Sequence, residues 1–246
     1  PDDQPDTQLL TNICQQNPLK AIYLMPQNQN PTTHTMTLTA KQSLAAFARS
    51  HGIAIIEDAS YNLLSSKAEI PLAALLPEQT FFIAGLSKII APGLRLSYLA
   101  VPKTWHTAIT NALYTMSITV SPLMSELSAR LIVAGAAQKI LTLDQEEARR
   151  RNNLADKHLK KFLIPADKTS IFRWLKLPPA FSSGAAFEKL ALQHGVQVYA
   201  AERFALGDAT PEKAIRLSIT APATSAILEK GLLILRKLLL SPPVPP

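Results

Sequence analysis

Cysteine is nearly absent: Cys14 stands alone in a chain of 246 residues. That excludes an internal disulfide and a cysteine metal cluster, and it suits a reducing compartment such as the cytoplasm. Long apolar runs are missing too. The most apolar stretches, residues 21–25, 53–56 and 81–86, fall far short of the ~20 residues that a membrane-spanning helix needs. The N-terminus has no charged-then-apolar pattern, so a signal peptide is not indicated. Internal repeats are absent, and low complexity is confined to residues 241–246. These absences lead us to expect a cytoplasmic protein with no membrane partner and no metal site.

What is present is a globular composition. Apolar residues make up 47% of the chain, enough for a sizeable core, and the length fits one large domain or two modest ones. The net charge of +7 permits an acidic partner, but the basic residues are spread along the chain and demand none. The run Arg149-Arg150-Arg151 reads most simply as a solvated helix face, with a DNA contact as the alternative.

The apolar pattern predicts a βαβ succession. Residues 21–25 form an uninterrupted apolar run closed by Pro26, the pattern of a strand buried on both faces. Thr37 or Thr39 can cap a helix bearing Leu44, Phe47 or Ala48 and His51, with Gly52 at its end. Strands follow at 53–57 and 81–86, joined by a less regular connection with Pro71 and Pro77. A strand, helix and strand recurring about every thirty residues are the mark of parallel units. A further strand is expected at 94–101, a helix capped by Ser121-Pro122 and running to about 134, and another from 142 to 162. The last third changes character, with strands at 171–177, 196–198 and 215–219 and helices at 184–194 and 224–240. We therefore expect an α/β domain over 1–139 and a smaller α+β domain over 140–246.

In open α/β sheets, ligands bind outside the carboxyl ends of the strands. Asn30, Asp58 and Lys88 each lie just past the end of a predicted strand, and Arg95 follows Lys88 by seven residues across a Pro-Gly turn. An amine, a carboxylate and a guanidinium in that order suit pyridoxal phosphate. That cofactor needs a lysine for its aldehyde, a carboxylate to keep its ring nitrogen protonated and a cation for its phosphate. Tyr61 can place a phenol near the ring hydroxyl, where Asn30 can also donate, and Ser87 can add a phosphate contact. Each residue also has a plainer reading: Lys88 as a loop lysine, Asp58 as a helix cap, Asn30-Pro31 as a turn, Tyr61 as core, and Arg95 as the partner of Glu57 or Asp58.

The segments Gln29-Asn30-Pro31-Thr32, Glu57-Asp58-Ala59-Ser60-Tyr61 and Leu86-Ser87-Lys88-x-x-Ala91-Pro92-Gly93-Leu94-Arg95-Leu96 resemble the blocks of fold-type I pyridoxal phosphate enzymes, the class I/II aminotransferases. More narrowly, the chain resembles the aminotransferase-like domain of MocR-type transcription regulators of the GntR family, in which a DNA-binding winged helix precedes it. The resemblance implies a PLP-dependent transferase-like fold: part of the large domain, with a mostly parallel sheet, followed by the small domain. It implies pyridoxal 5'-phosphate as cofactor, with catalytic roles for Lys88, Asp58 and Tyr61. Lys88 would form the imine, Asp58 would face the pyridine nitrogen, Asn30 and Tyr61 the ring hydroxyl, and Ser87 and Arg95 the phosphate. Arg216, in Ala214-Ile-Arg-Leu-Ser218, matches the arginine that binds the substrate carboxylate, a role for which the bidentate guanidinium is suited; Asn30 would also face the substrate.

The chain departs from the family at three positions: Gly85 stands where a phosphate-contacting serine is frequent, Ser170 where many members have glycine, and Thr33 where glycine commonly follows Asn-Pro-Thr. The resemblance also starts part-way into the large domain, so we expect a truncated piece that lacks the glycine-rich phosphate loop and the ring-stacking aromatic and binds the cofactor weakly if at all; in isolation it can also be read as a fold relic that binds no cofactor. Two functions share these residues. One is the effector domain of a regulator, sensing an amino compound by imine exchange at Lys88 and passing domain closure to a DNA-binding domain. The other is an aminotransferase acting on an amino acid. A homodimer is expected in either case, with DNA contacted only through the N-terminal winged helix.

Overall fold

The computed structural model describes residues 4–207 and 209–241. Most of the low-complexity tail, residues 242–246, lies outside them. The chain divides into two compact units, one of residues 1–27 and 34–144, the other of 28–33 and 145–246. In chain order the first unit holds α1 (Thr7–Gln16), β1 (Ala21–Leu24), α2 (Leu38–His51), β2 (Ala54–Asp58), α3 (Leu72–Leu75), β3 (Thr80–Gly85), β4 (Ser97–Ala100), α4 (His106–Ser117) and α5 (Pro122–Val133). Helix α6 (Ala136–Leu159) runs from the first unit into the second, which continues with β5 (Phe172–Lys176), α7 (Gly184–Gln193), β6 (Tyr199–Ala200), β7 (Ala214–Ser218) and α8 (Ser225–Leu240).

The first unit is built on a sheet of order β1-β2-β3-β4. The first three strands are parallel and β4 runs antiparallel to β3. Helix α2 forms the crossover between β1 and β2, with the Thr37 hydroxyl accepting from the Ala40 amide and Gly52 ending the helix at φ 63°, where only glycine is free of strain. Leu44, Phe47 and Ala48 of α2 pack with Ile55 of β2, Leu72 of α3 and Leu76 in one core. That core covers one face of the sheet. On the other face Ala21, Ile56, Phe81, Ile83, Leu99 and Trp105 help to line an open apolar concavity of about 770 Å³.

This uneven cover corrects the reading of residues 21–25 as a strand buried on both faces. Strand β1 is the sheet edge, and Ala21 and Tyr23 are exposed while Ile22 and Leu24 pack toward α2. The strand expected at 94–101 begins only at Ser97, because residues 92–94 form a 3-10 turn and Arg95 adopts φ 49°. Helix α6 starts earlier than residue 142, at Ala136. Its arginine run is not all solvated. Arg149 and Arg150 are exposed, but Arg151 is buried, donating to the carbonyls of Ile219 and Pro222 and to Glu147, because helical spacing turns it onto the face that packs against the sheet.

The second unit is a three-stranded antiparallel sheet of order β5-β7-β6. Leu159 of α6, Phe187 of α7, Ile215 of β7 and Leu228, Leu232 and Leu235 of α8 share its core. Asn152 is buried, its amide donating to the carbonyls of Ala148, Lys168 and Ser170 while its oxygen accepts from Arg173. The strand expected at 196–198 forms instead at Tyr199 and Ala200. Gly195 turns with φ 80°, and the Val196 amide bonds back to the Ala191 carbonyl, prolonging the end of α7. Among the described residues no helix is long and apolar enough to cross a membrane, and no cluster of three His, Cys, Asp or Glu is placed to hold a metal.

Alternation along β2 separates its last two carboxylates. Glu57 turns into the core, fully buried, where one oxygen accepts from the Ala73 amide at the start of α3 (2.9 Å). Its other oxygen meets no donor among the described residues. Burial pushes the Glu57 carboxyl above its ordinary range, against the lowering effect of the amides of Ala73 and Leu72 and of the buried Lys41 ammonium. The folded state therefore holds this proton more tightly than the unfolded chain. The resulting stabilisation is complete below the ordinary glutamate value and is lost as pH rises through the raised one. Comparing urea unfolding of wild type and Glu57→Gln at pH 4 and pH 8 should show a stability gain for the variant at the higher pH relative to the lower; an equal difference at both pH values would contradict this assignment.

Candidate functional site

Asp58 is the last residue of β2 and turns to the face opposite Glu57. One oxygen of its carboxylate accepts from the Ser60 amide (2.9 Å) and the Ser60 hydroxyl (2.5 Å), and the other from the Tyr23 hydroxyl (2.7 Å). The Ser60 bonds are local, made as the chain turns out of the sheet, with Ala59 still joined to the ladder through the Ile83 carbonyl. Tyr23 arrives from β1, whose register sets it opposite Ile56, so its side chain leans toward the strand end to reach Asp58. Withdrawal of the hydroxyl from water, the bond to Asp58 and that carboxylate's charge together push the Tyr23 phenol up to about 12. It stays protonated, and so a donor, at any physiological pH. Tyr61 follows, buried, at the head of a 3-10 turn over 62–64.

Asp58 pairs in register with Ile83 of β3, so the loop after β3 leaves from the same carboxyl edge. Leu86, Ile89, Leu94 and Leu96 are buried and anchor this loop. The Leu86 amide bonds the Leu96 carbonyl, and the amides of Ile89 and Ile90 turn back to the Leu86 carbonyl. The anchors leave Ser87 half-buried and turn Lys88 and Arg95 outward, exposed. Neither cation takes an ion pair or a side-chain hydrogen bond among the described residues, and Arg95 sits in the left-handed region at φ 49°. Left-handed backbone at a non-glycine residue costs on the order of 1 kcal/mol and is characteristic of residues held for function. The alternative that Arg95 pairs with Glu57 or Asp58 is not what forms: both carboxylates are served by other donors.

Packing at Gly85 does not require glycine, since an added Cβ would make only ordinary contacts. A Cβ added there would meet the Ser97 hydroxyl at 3.4 Å and the Ser60 hydroxyl at 3.9 Å, so a serine would stand beside the group that holds Asp58.

Asn30 and Arg216 both belong to the second unit. The Arg216 guanidinium donates to the Asn30 side-chain oxygen at 2.6 Å. It also lies over three rings, with Phe172 at 4.3 Å and Tyr199 and Phe204 each at 5.0 Å. Tyr199 is its cross-strand partner on β6, and Phe172 reaches it from β5. The rings hold the guanidinium by cation–π attraction, while its edge bonds Asn30. The Asn30-Pro31 bond is cis, and Thr33 carries φ 61°, the conformation for which the family's glycine would be at ease. Ser170, the other departure, is buried and bonded to Phe172.

The expected residues thus fall into two sets, each described within its own unit: Asp58, Tyr61, Ser87, Lys88 and Arg95 in the first, Asn30 and Arg216 in the second. The sequence reading missed Tyr23, Ser60 and the rings around Arg216. Strand alternation offered a signal for Tyr23, which it puts on the face that Asp58 shares. The three aromatics come from separate strands and a loop, and no spacing announces them.

The chain matches the family model for aminotransferase class I and II over residues 6–233. It is 44% identical over 237 residues to an uncharacterised HTH-type transcriptional regulator of Bacillus subtilis strain 168, YdeF, covering 96% of this chain and 51% of that protein. It is 23% identical to a 2-aminoadipate transaminase of Thermus thermophilus, over 93% of this chain and 59% of that protein. Among solved structures, an archaeal alanine:glyoxylate aminotransferase superposes with TM-score 0.84 at 21% identity, covering 97% of this chain and 62% of that one. LysN, the α-aminoadipate aminotransferase of Thermus thermophilus, gives 0.82 at 22%, covering 98% and 64%. The chain spans about half the length of the regulator it matches.

A double-mutant cycle with Asn30→Ala and Arg216→Ala, read by urea unfolding, should give a coupling of about 1 kcal/mol for the bond between them. Additive effects would show that the bond does not form.

Proposed function

We propose, on the premise that this chain belongs to the aminotransferase class I and II family, that it is the effector domain of a helix-turn-helix transcription regulator of the MocR/GntR type. It binds pyridoxal 5'-phosphate, the family's cofactor, and responds to a small amino compound. What carries the regulator reading is the gap in identity: the regulator-named relative stands far above the transaminase-named one over nearly the same span.

The fit of the cofactor is supported by the charge and bonding of the residues expected to hold it. Lys88 and Arg95 are exposed cations with no competing ion pair among the described residues, and Asp58 is a carboxylate fixed by three donors. Pyridoxal phosphate supplies an aldehyde that captures amines and a pyridine ring that, once protonated, draws electrons from them. Lys88 offers the amine for that aldehyde and the base that takes or gives a proton. Asp58 holds a proton at the ring nitrogen, because a nearby anion favours the charged ring. Ser87 and Arg95 bind phosphate, Arg95 with the forked guanidinium that suits it. Tyr61 and Asn30 donate toward the ring hydroxyl. Arg216, steadied by its aromatic rings and by Asn30, binds the carboxylate of an incoming amino compound.

In this reading the protein works in the cytoplasm as a homodimer and touches DNA through a winged helix outside this chain. An aminotransferase acting on an amino acid would use the same residues. The two are separated by turnover. The longer protein that contains this domain should show the near-visible absorbance of lysine-bound cofactor, and Lys88→Ala should abolish it. Adding amino acids should shift that absorbance and alter binding to promoter DNA without releasing a 2-oxo acid at more than about 1 per second. Faster release with no effect on DNA would favour the enzyme.

A further inference from the structure

We infer that Tyr23 and Ser60 are positioning residues for Asp58, fixing the plane of its carboxylate so that one face of it is kept for the nitrogen of a bound aromatic ring; this rests on the cofactor reading above. An ionised carboxylate has about four lone-pair sites. Three are taken here, two by the Ser60 amide and hydroxyl on one oxygen and one by the Tyr23 hydroxyl on the other. With both oxygens pinned, the carboxylate cannot rotate, and the remaining site has a single direction.

The Tyr23 bond reaches across a strand pair: the register partner of Tyr23 is Ile56, two residues before Asp58. The bonded Asp58 is 35 residues away on the neighbouring strand. The Tyr23 hydroxyl, with its 2.7 Å bond, holds the Asp58 oxygen that Ser60 leaves untouched. Ser60 alone would be weaker evidence, because a serine two residues after an aspartate often bonds it in a turn. The two donors acting from opposite sides are what define the plane.

The consequence is separable from folding. In the longer protein, Tyr23→Phe should weaken affinity for pyridoxal phosphate about tenfold, in line with loss of one hydrogen bond to a charged group, and Ser60→Ala should weaken it by less. Neither should move the thermal midpoint of the cofactor-free protein appreciably. Because Tyr23 acts through Asp58, Tyr23→Phe should have no further effect on affinity once Asp58→Asn is in place. Additive losses would overturn the proposal, as would an affinity for Tyr23→Phe within about twofold of wild type. A loss of affinity matched by a loss of cofactor-free stability would assign Tyr23 a structural role instead. If wild type itself fails to capture the cofactor at Lys88, the cofactor reading falls and this inference with it; capture by wild type with Tyr23→Phe unchanged sinks this inference alone.

Discussion

The register of β2 between its two parallel neighbours is the constraint on which the first unit depends. Ile55 pairs with Ile22 and Thr80, and its side chain is wholly buried against α2 and α3. With Ile55 inward, Glu57 must also point inward, and Asp58 must point out. A slip of one residue would reverse all three, sending Asp58 into the core and Glu57 to the carboxyl edge. The apolar side chains thus decide which carboxylate is a structural acceptor for α3 and which stands on the opposite face of the sheet. The penalty for slipping is the burial of Ile55, ~1.5–3 kcal/mol for one such side chain, multiplied along the strand.

The same logic sets the second unit at smaller scale. Pairing of β7 between β5 and β6 puts Arg216 opposite Trp174 and Tyr199, and alternation turns it to the side where Phe172, Tyr199 and Phe204 gather. Its neighbours Ile215 and Leu217 point into the core that α7 and α8 cover. A strand with a buried apolar residue on either side of an arginine holds that arginine's backbone firmly, while the rings and Asn30 hold its head. Asp58 and Arg216 are in this respect alike: polar groups on strands whose alternate residues are locked by burial.

Much of this was legible in the sequence because apolar period and turn chemistry are local. The helix from Thr37 to Gly52 announced both of its caps, the βαβ succession followed from apolar runs spaced by polar loops, and the strand-end residues Asp58 and Lys88 were found from where those runs stop. The readings that needed correction concern neighbours. Residues 21–25 look like a central strand by composition, but whether a strand is central depends on what pairs beside it. Arg151 looks solvated within an arginine run, but helical rotation places it under the end of β7. Gly195 moves a strand by prolonging a helix end.

The sequence by itself determined the order of the elements, the identity of the acid, amine and guanidinium groups and the loops that carry them, since these follow from short-range patterns and from the residues a chemistry requires. Only the tertiary structure decided that Asp58 is held by Tyr23, that Arg216 lies among three rings, and that Glu57 serves α3. Those contacts join residues from 12 to 44 positions apart, and their geometry comes from strand register, which is settled by the burial of side chains far from the site.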